Sequence, residues 1–421
     1  MITRRKFFSG AVGLAAGSAF VTRLARGANL LAAEASPTPS TSPNTGYASV
    51  VTPNGTSLPW VMKGGIKEFH LIAEPVKRDF APGMTVNCWG YNGQTPGPTI
   101  EAVEGDRVRI LVTNKLAEPT TIHWHGVILP NGMDGVGGLT QKHITPGETY
   151  AYEFTLKQHG VQMYHPHSDE MVQMAMGMQG FFVIHPKGGY APTVDRHFCI
   201  FLQEWFVEPG SFTPNPNVMT DFNIFTFNSR VWPGTDPLVV KLNQRVRVSL
   251  ANLSMDSHPI HFHGHQFWVV ATDGGELPKS ARWPEVSVNV PPGTTRTLEF
   301  VADNPGDWAF HCHKNHHAMN AMSHNIPNVI GADQTGVSQK IGKLIPGYMA
   351  MGSEGMHGKD EMQMQGPPNT LPMMTGQGQF GPIMMGGMFT VLKIREGITS
   401  YEDPGPYQNP TGTVASHFTA T

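Results

Sequence analysis

Hydrophobic positions along this chain fall in short alternating runs. In Val108-Arg109-Ile110-Leu111-Val112 and Val246-Arg247-Val248-Ser249-Leu250 apolar and polar side chains exchange nearly every residue, as on a strand with one buried face. Turn residues bound these runs, among them Asp303-Asn304-Pro305-Gly306-Asp307 ahead of Trp308, and long amphipathic helices are not evident. The pattern predicts an all-β chain of packed sheets. It also repeats. Arg107 precedes His123 by sixteen residues and Arg245 precedes His261 by the same distance, an offset of 138 residues, and both segments run on into His-x-His-Gly. Two homologous sandwich domains, at about 59–190 and 191–400, account for such a duplication.

Composition refines this only slightly. A chain of 421 residues allows two or three domains, and its 47 glycines and 35 prolines suit many turns. With 14% charged residues and a net charge of −3, nothing points to nucleic acid.

The chemistry is concentrated in His311-Cys312-His313, followed by His317 and Met322. On a strand His311 and His313 face one way and Cys312 the other, so one segment can serve two metal centres. Cys312, His317 and Met322 supply a thiolate, an imidazole and a thioether; with one further His this is the ligand set of a blue-copper site. Three more clusters carry paired imidazoles: His123-Trp124-His125-Gly126, His165-Pro166-His167 and His258-Pro259-Ile260-His261-Phe262-His263. Zinc would need neither the Met nor ten histidines spread over four segments. His265 fits no set and reads as a hydrogen-bonding core residue.

Together the four motifs, in order, resemble those of the multicopper oxidase family, laccase-like enzymes that couple one-electron oxidation of a donor to four-electron reduction of O2. Asn92-Gly93-Gln94-Thr95-Pro96-Gly97-Pro98 adds to the likeness, which covers about residues 60–400. The resemblance implies two cupredoxin-like Greek-key β-sandwiches and four coppers per functional site. His258, Cys312 and His317 would hold the type 1 copper with Met322 axial; His123 and His261 the type 2 copper; His125, His165, His167, His263, His311 and His313 the paired type 3 coppers. Asp134 matches the family's acidic residue after the first motif and is the expected proton donor. A second carboxylate that many relatives carry after the Cys motif is missing at Asn315 and Ala318, and Asp169 or Glu170 are possible substitutes. About ninety residues separate His167 from His258, too few for a third domain. The chain therefore resembles two-domain members, which build the three-copper cluster between neighbouring subunits. A homotrimer is expected, with His123, His125, His165 and His167 of one subunit facing His261, His263, His311 and His313 of the next.

Thr3-Arg4-Arg5-Lys6-Phe7-Phe8 and the apolar run Ala11 to Val21 read as a twin-arginine export signal over 1–35, ahead of a Ser/Thr/Pro-rich leader over 36–58. The run is too short for stable membrane insertion, and the periplasm is the expected destination. That compartment permits a disulfide, and Cys88 with Cys199 is the pair left once Cys312 is given to copper. Of 23 methionines, one group (Met163, Met171, Met174, Met176, Met178) surrounds His-Pro-His, with the last three spaced as on a strand; a second fills an insertion at 349–388, ahead of a tail at 401–421. Thioethers are soft core filler or Cu(I) ligands. Three functions follow: an oxidase of phenolic or similar donors, a cuprous oxidase for copper tolerance, or a non-catalytic copper-binding protein. Copper nitrite reductase is disfavoured because its blue site belongs to the first domain.

Overall fold

The two repeated runs become two eight-residue strands, Arg107–Asn114 and Arg245–Asn252, each near the middle of a sheet. Each pairs in parallel with one neighbour (Ile66–Ala81 or Arg196–Trp205) and antiparallel with the other (Thr149–Thr155 or Thr294–Val301). The computed structural model describes residues 47–208, 210–319, 340, 343–344, 376–383 and 385–418. Among them the chain is all-β, as the alternation predicts.

The first sandwich sets Trp60–Lys63, Ile66–Ala81, Met84–Tyr91, Arg107–Asn114 and Thr149–Thr155 against a second sheet of Gly97–Val103, Gly180–His185 and Gly160–Tyr164. Its core gathers around Trp124, the residue between His123 and His125. In the second sandwich the sheet containing Arg245–Asn252 faces Leu238–Lys241, Phe389–Arg395, Gly306–Cys312, His258–Phe262 and Ser287–Val290. Duplication reaches individual hydrogen bonds. The Asn114 amide donates to the carbonyls of Glu118 and Ile144 and accepts the Leu116 N–H; Asn252, 138 residues on, donates to Asp256 and Val290 and accepts the Ser254 N–H.

The repeats differ in one respect. Arg107–Asn114 alternates buried and partly exposed positions, whereas Arg245–Asn252 is buried on both faces. Its polar face is covered by the first sandwich: Val161, Met163, Phe181 and Val183 pack with Cys199, Phe201 and Ala251. Arg247 is buried there, bonded to Glu299 and Glu276 with its guanidinium 4.0 Å from the Tyr190 ring centre. A second shared cluster joins Val76, Phe80 and Met84 to Trp205, Ile224 and Val231.

Three expectations are corrected. Val50–Val51 pairs in parallel with Arg196–Trp205 and Leu58 is buried, so the predicted leader is built into the fold before residue 58. Cys88 and Cys199 are free buried thiols, each in a different one of the two shared clusters, so the expected pair is not bridged. Met174 lies on a short helix, Glu170–Ala175, rather than on a strand; carbonyls at Asp169 and Val172 take the N–H groups of Gln173 and Met176.

Asn114→Ala should destabilise the protein by about 2 kcal/mol, because the Leu116 N–H loses its buried acceptor and the Ile144 and Glu118 carbonyls each lose a donor. Denaturant unfolding checks this, and a change below about 0.5 kcal/mol would contradict the role given to this side chain.

Candidate metal centres

Antiparallel pairing of His258–Phe262 with Gly306–Cys312 sets Ile260 against Cys312, His261 against His311, and Phe262 against Phe310. Alternation then separates two faces. Ile260, Phe262, Phe310 and Cys312 point into the core of the second sandwich. His261 and His311 point the other way, where rings of His261, His263, His311 and His313 cluster with centroids 4.8–5.6 Å apart.

On the core side Cys312 meets His258 and His317, and all three are buried. His258 Nδ1 lies 3.0 Å from His317 Nδ1, and the Cys312 sulfur lies 3.9 and 3.8 Å from them. A triangle with those sides has its equidistant point about 2.1 Å from each donor, the ordinary length of metal bonds to imidazole and thiolate. The far side of each ring is held. His258 Nε2 is 3.0 Å from Ser254 Oγ and 3.5 Å from Glu204 Oε1. His317 stacks on Phe225 with ring centroids 3.9 Å apart, and its Nε2 is 3.7 Å from Asp256 Oδ2. Burial holds both imidazoles neutral, His258 well below the usual histidine range and His317 at about 4. Burial also pushes the Cys312 thiol up to about 12, so its thiolate needs a cation beside it. A neutral nitrogen pair and a buried thiol fit a soft metal ion. Met322, the expected axial ligand, lies outside the described residues.

The first sandwich gathers a second quartet. His123 and His165 sit opposite each other as a β-bridge, and rings of His123, His125, His165 and His167 are grouped with centroids 5.2–6.3 Å apart. Nδ1 donates to a backbone carbonyl in His123 (Asp134, 2.9 Å), His165 (Pro166, 3.0 Å), His261 (Val286, 2.6 Å) and His311 (Cys312, 2.9 Å). A carbonyl only accepts, so each of these rings keeps Nε2 unprotonated for a metal. His165 Nε2 is 3.3 Å from His125 Nδ1, and His311 Nε2 is 3.2 Å from His263 Nε2. Two nitrogen pairs converging in this way fit copper held by imidazoles. Burial lowers the His165 imidazole to about 3, so that pair stays neutral. Among the described residues no hydrogen bond or ring contact links the two quartets.

Asp134 is brought to the first quartet, its carboxylate 3.5 Å from His123 Nδ1 beside the carbonyl that the ring uses. Gly135 (φ +86°) makes this approach possible, since a Cβ there would strike the Ile122 carbonyl. Glu170 lies 3.6 Å from His165 Nδ1 and 3.4 Å from His167 Nε2, whereas Asp169 is an exposed residue starting the short helix. His265 is buried with its Nδ1 against the His263 carbonyl. Sequence reading missed Glu204, Ser254 and Asp256 around the Cys312 set. Glu204 had a signal: a carboxylate at the end of the apolar run Phe198 to Leu202, on a strand that is buried almost throughout. Burial and the nearby Asp256 raise its carboxyl to about 7.

Two family models, each described as multicopper oxidase, match residues 73–189 and 208–331, spans that hold both quartets and the Cys312 set. The chain belongs to the multicopper oxidases. These are copper-dependent oxidoreductases. A blue copper oxidase from Nitrosomonas europaea has a similar structure, with TM-score 0.58 and 26% identity over 78% of this chain and 85% of that one. A probable nitrite reductase-hydroxylamine oxidoreductase fusion protein of Kuenenia stuttgartiensis is 30% identical over 62% of this chain and 31% of its own length. Copper resistance protein A of Escherichia coli is 39% identical over 32% of this chain and 22% of its own. The multicopper oxidase thus spans less than a third of the length of these two curated relatives.

Replacing Cys312 by Ser should remove the intense visible absorption of a copper–thiolate site and lower bound copper by one ion per chain. Metal analysis with absorption spectroscopy checks both, and an unchanged spectrum would show that the thiolate lies elsewhere.

Proposed function

We propose that this multicopper oxidase takes single electrons from phenolic or similar donors at the Cys312 set and reduces O2 to water at a three-copper cluster built from both His quartets. One observation carries the reading. Cys312 is enclosed with His258 and His317 while its neighbour His311 belongs to the partly exposed quartet on the opposite face. Copper bound in these sets would supply one-electron transfer and O2 reduction. The chain's own residues supply the rest. The Cys312 backbone joins the two centres covalently, and its carbonyl fixes the His311 ring. Asp134, against His123, is placed to deliver protons, with Glu170 beside His165 and His167 as a second carboxylate. The nitrite-reducing name of the Kuenenia relative finds no counterpart site in the first sandwich, whose one cysteine, Cys88, is buried in an apolar cluster away from the histidines. A second reading, oxidation of cuprous ion, is favoured by the likeness to copper resistance protein A and by the methionines; the insertion at 349–388 lies largely outside the described residues.

Each quartet offers half the expected ligands, and among the described residues no hydrogen bond or ring contact joins them. Apolar side chains stand exposed near both: Ile128 and Leu139 in the first sandwich, and Trp283 and Val286 (whose carbonyl holds His261) in the second. These features support a homotrimer in which the first quartet of one subunit meets the second quartet of the next. Export to the periplasm rests on the twin-arginine pattern, which lies outside the described residues; no described helix is long and apolar enough to cross a membrane.

Mixing decides the assembly. Subunits carrying His123→Ala and subunits carrying His311→Ala should each be inactive towards O2, and co-refolded mixtures should regain a fraction of wild-type O2 uptake because some interfaces then combine two intact quartets. No recovery in mixed oligomers, with copper present, would place the cluster within one chain. For proton delivery, Asp134→Asn should slow O2 reduction about a hundredfold while leaving the type 1 absorption intact. A normal rate would remove Asp134 from that role.

A further inference from the structure

We propose that the chain's own second sandwich positions the His125 ring for copper, with Gly293 and Gln162 as the positioning residues. This deepens the oxidase reading above and rests on the first quartet being a copper site.

His125 is turned the opposite way from its neighbours. His123 and His165 each give Nδ1 to a first-sandwich carbonyl and keep Nε2 for a metal, whereas His125 directs Nδ1 at His165 Nε2, 3.3 Å away. Two tautomers of His125 therefore compete. A proton on Nδ1 would be donated to His165 and block a metal; a proton on Nε2 leaves Nδ1 bare. The second sandwich decides between them. The ring hydrogen-bonds to the Gly293 backbone, and with Nδ1 turned to His165, Nε2 is the nitrogen that meets that carbonyl. A carbonyl only accepts, so it favours the tautomer that is ready for metal. Burial and then His123 hold this imidazole below the usual histidine range; the groups that oppose them begin with Gly293 and the Asp273 carboxylate, both of the second sandwich.

Packing at the junction gives the independent observation. The strand Gly160–Tyr164, which runs into His165, lies against second-sandwich turns: a Cβ on Gly160 would fall 1.6 Å from the Gly274 carbonyl oxygen, and Thr295 Oγ1 donates to the Val161 carbonyl at 3.2 Å. Gln162, 3% exposed, fills the remaining gap. A Cβ on Gly126, the residue after His125, would fall 2.1 Å from its Oε1, and one on Gly274 would fall 1.8 Å from its Nε2. One side-chain amide is thus wedged between the His125 turn and the second sandwich, and the next residue, Met163, gives its N–H to the His125 carbonyl at 3.5 Å. Close packing on both sides passes any shift of the second-sandwich turns to the ligand's backbone. Gly293 is itself tied down, its N–H donating to the Asn252 carbonyl at 2.8 Å.

Gly293→Ala displaces the turn through backbone strain alone, since φ is +73° and a Cβ there meets nothing within 4 Å. Gln162→Ala removes the wedge. Gly64→Ala, at φ +57° with equally open surroundings in the hairpin after Trp60–Lys63, is the control for strain itself. In the copper-loaded 421-residue protein, Gly293→Ala and Gln162→Ala should each release cluster copper at about tenfold lower chelator concentration than wild type, with the type 1 absorption unchanged. In the copper-free wild type, nitrogen NMR of the His125 ring, assigned by its loss in His125→Gln, should show the proton on Nε2. A proton on Nδ1 overturns the proposal whether or not the variants fold. Wild-type copper retention in either variant, or equal loss in Gly64→Ala, overturns it too. Weakened retention in both variants of a protein that takes up no O2 sinks the oxidase reading and leaves the positioning role standing.

Discussion

Everything in this molecule depends on one stretch of antiparallel register, Ile260 against Cys312 and His261 against His311. Because side chains alternate along a strand, that register commits Cys312 to the core of the second sandwich and His311 to its opposite face. A slip of one residue would drive the histidines into the apolar interior and leave the thiol at the quartet. The core residues flanking the pair, Phe262, Phe310 and Ile260, oppose such a slip because each would lose its burial. Hydrophobic packing therefore fixes the separation of the two metal centres, and the metal ligands contribute little to choosing it.

The two kinds of centre are built for different surroundings. His258, Cys312 and His317 are enclosed by one domain, with Phe225, Ser254 and Glu204 holding the rings from behind. Rings fixed before any metal arrives leave little freedom for the ion to change the geometry, which is how a protein keeps reorganisation small during electron transfer. The quartets are only half-shielded, and their anchoring is local: a carbonyl orients each of His123, His165, His261 and His311. Orientation without enclosure suits ligands whose remaining partners come from another surface.

How much of this could be read in the sequence follows from what each signal encodes. Alternation and the 138-residue offset gave the two sandwiches, because period and repetition are properties of the chain itself. All twelve expected type 1 and cluster ligands but Met322 fall among the described residues; His258, Cys312 and His317 lie together, and the other eight gather in two quartets. Positions decided by contact between domains were not legible. Arg245–Asn252 alternates like an edge-facing strand, but the first sandwich covers its polar face. Val50–Val51 looked like leader and instead completes a sheet of the second sandwich. Met174 looked like strand because methionine spacing says nothing of the hydrogen bonds that closed the Glu170–Ala175 helix. Glu204 was overlooked because its partners, Met255 and Asp256, lie some fifty residues away.

The short helix Glu170–Ala175 shows why these contacts matter for function as well as for fold. Its first residue, Glu170, reaches His165 and His167 of the first quartet, while Met171 and Met174 line a cleft beside the Cys312 set. One and a half turns of helix thus reach both the surroundings of the Cys312 set and half of the proposed site of O2 reduction. On the proposed assembly, that half would serve the cluster shared with a neighbouring subunit, whereas an electron entering at the Cys312 set would pass to the chain's own His311 and His313. On that assembly the helix would join two clusters of a trimer rather than two ends of one. Only six residues of backbone thus lie between the two kinds of site.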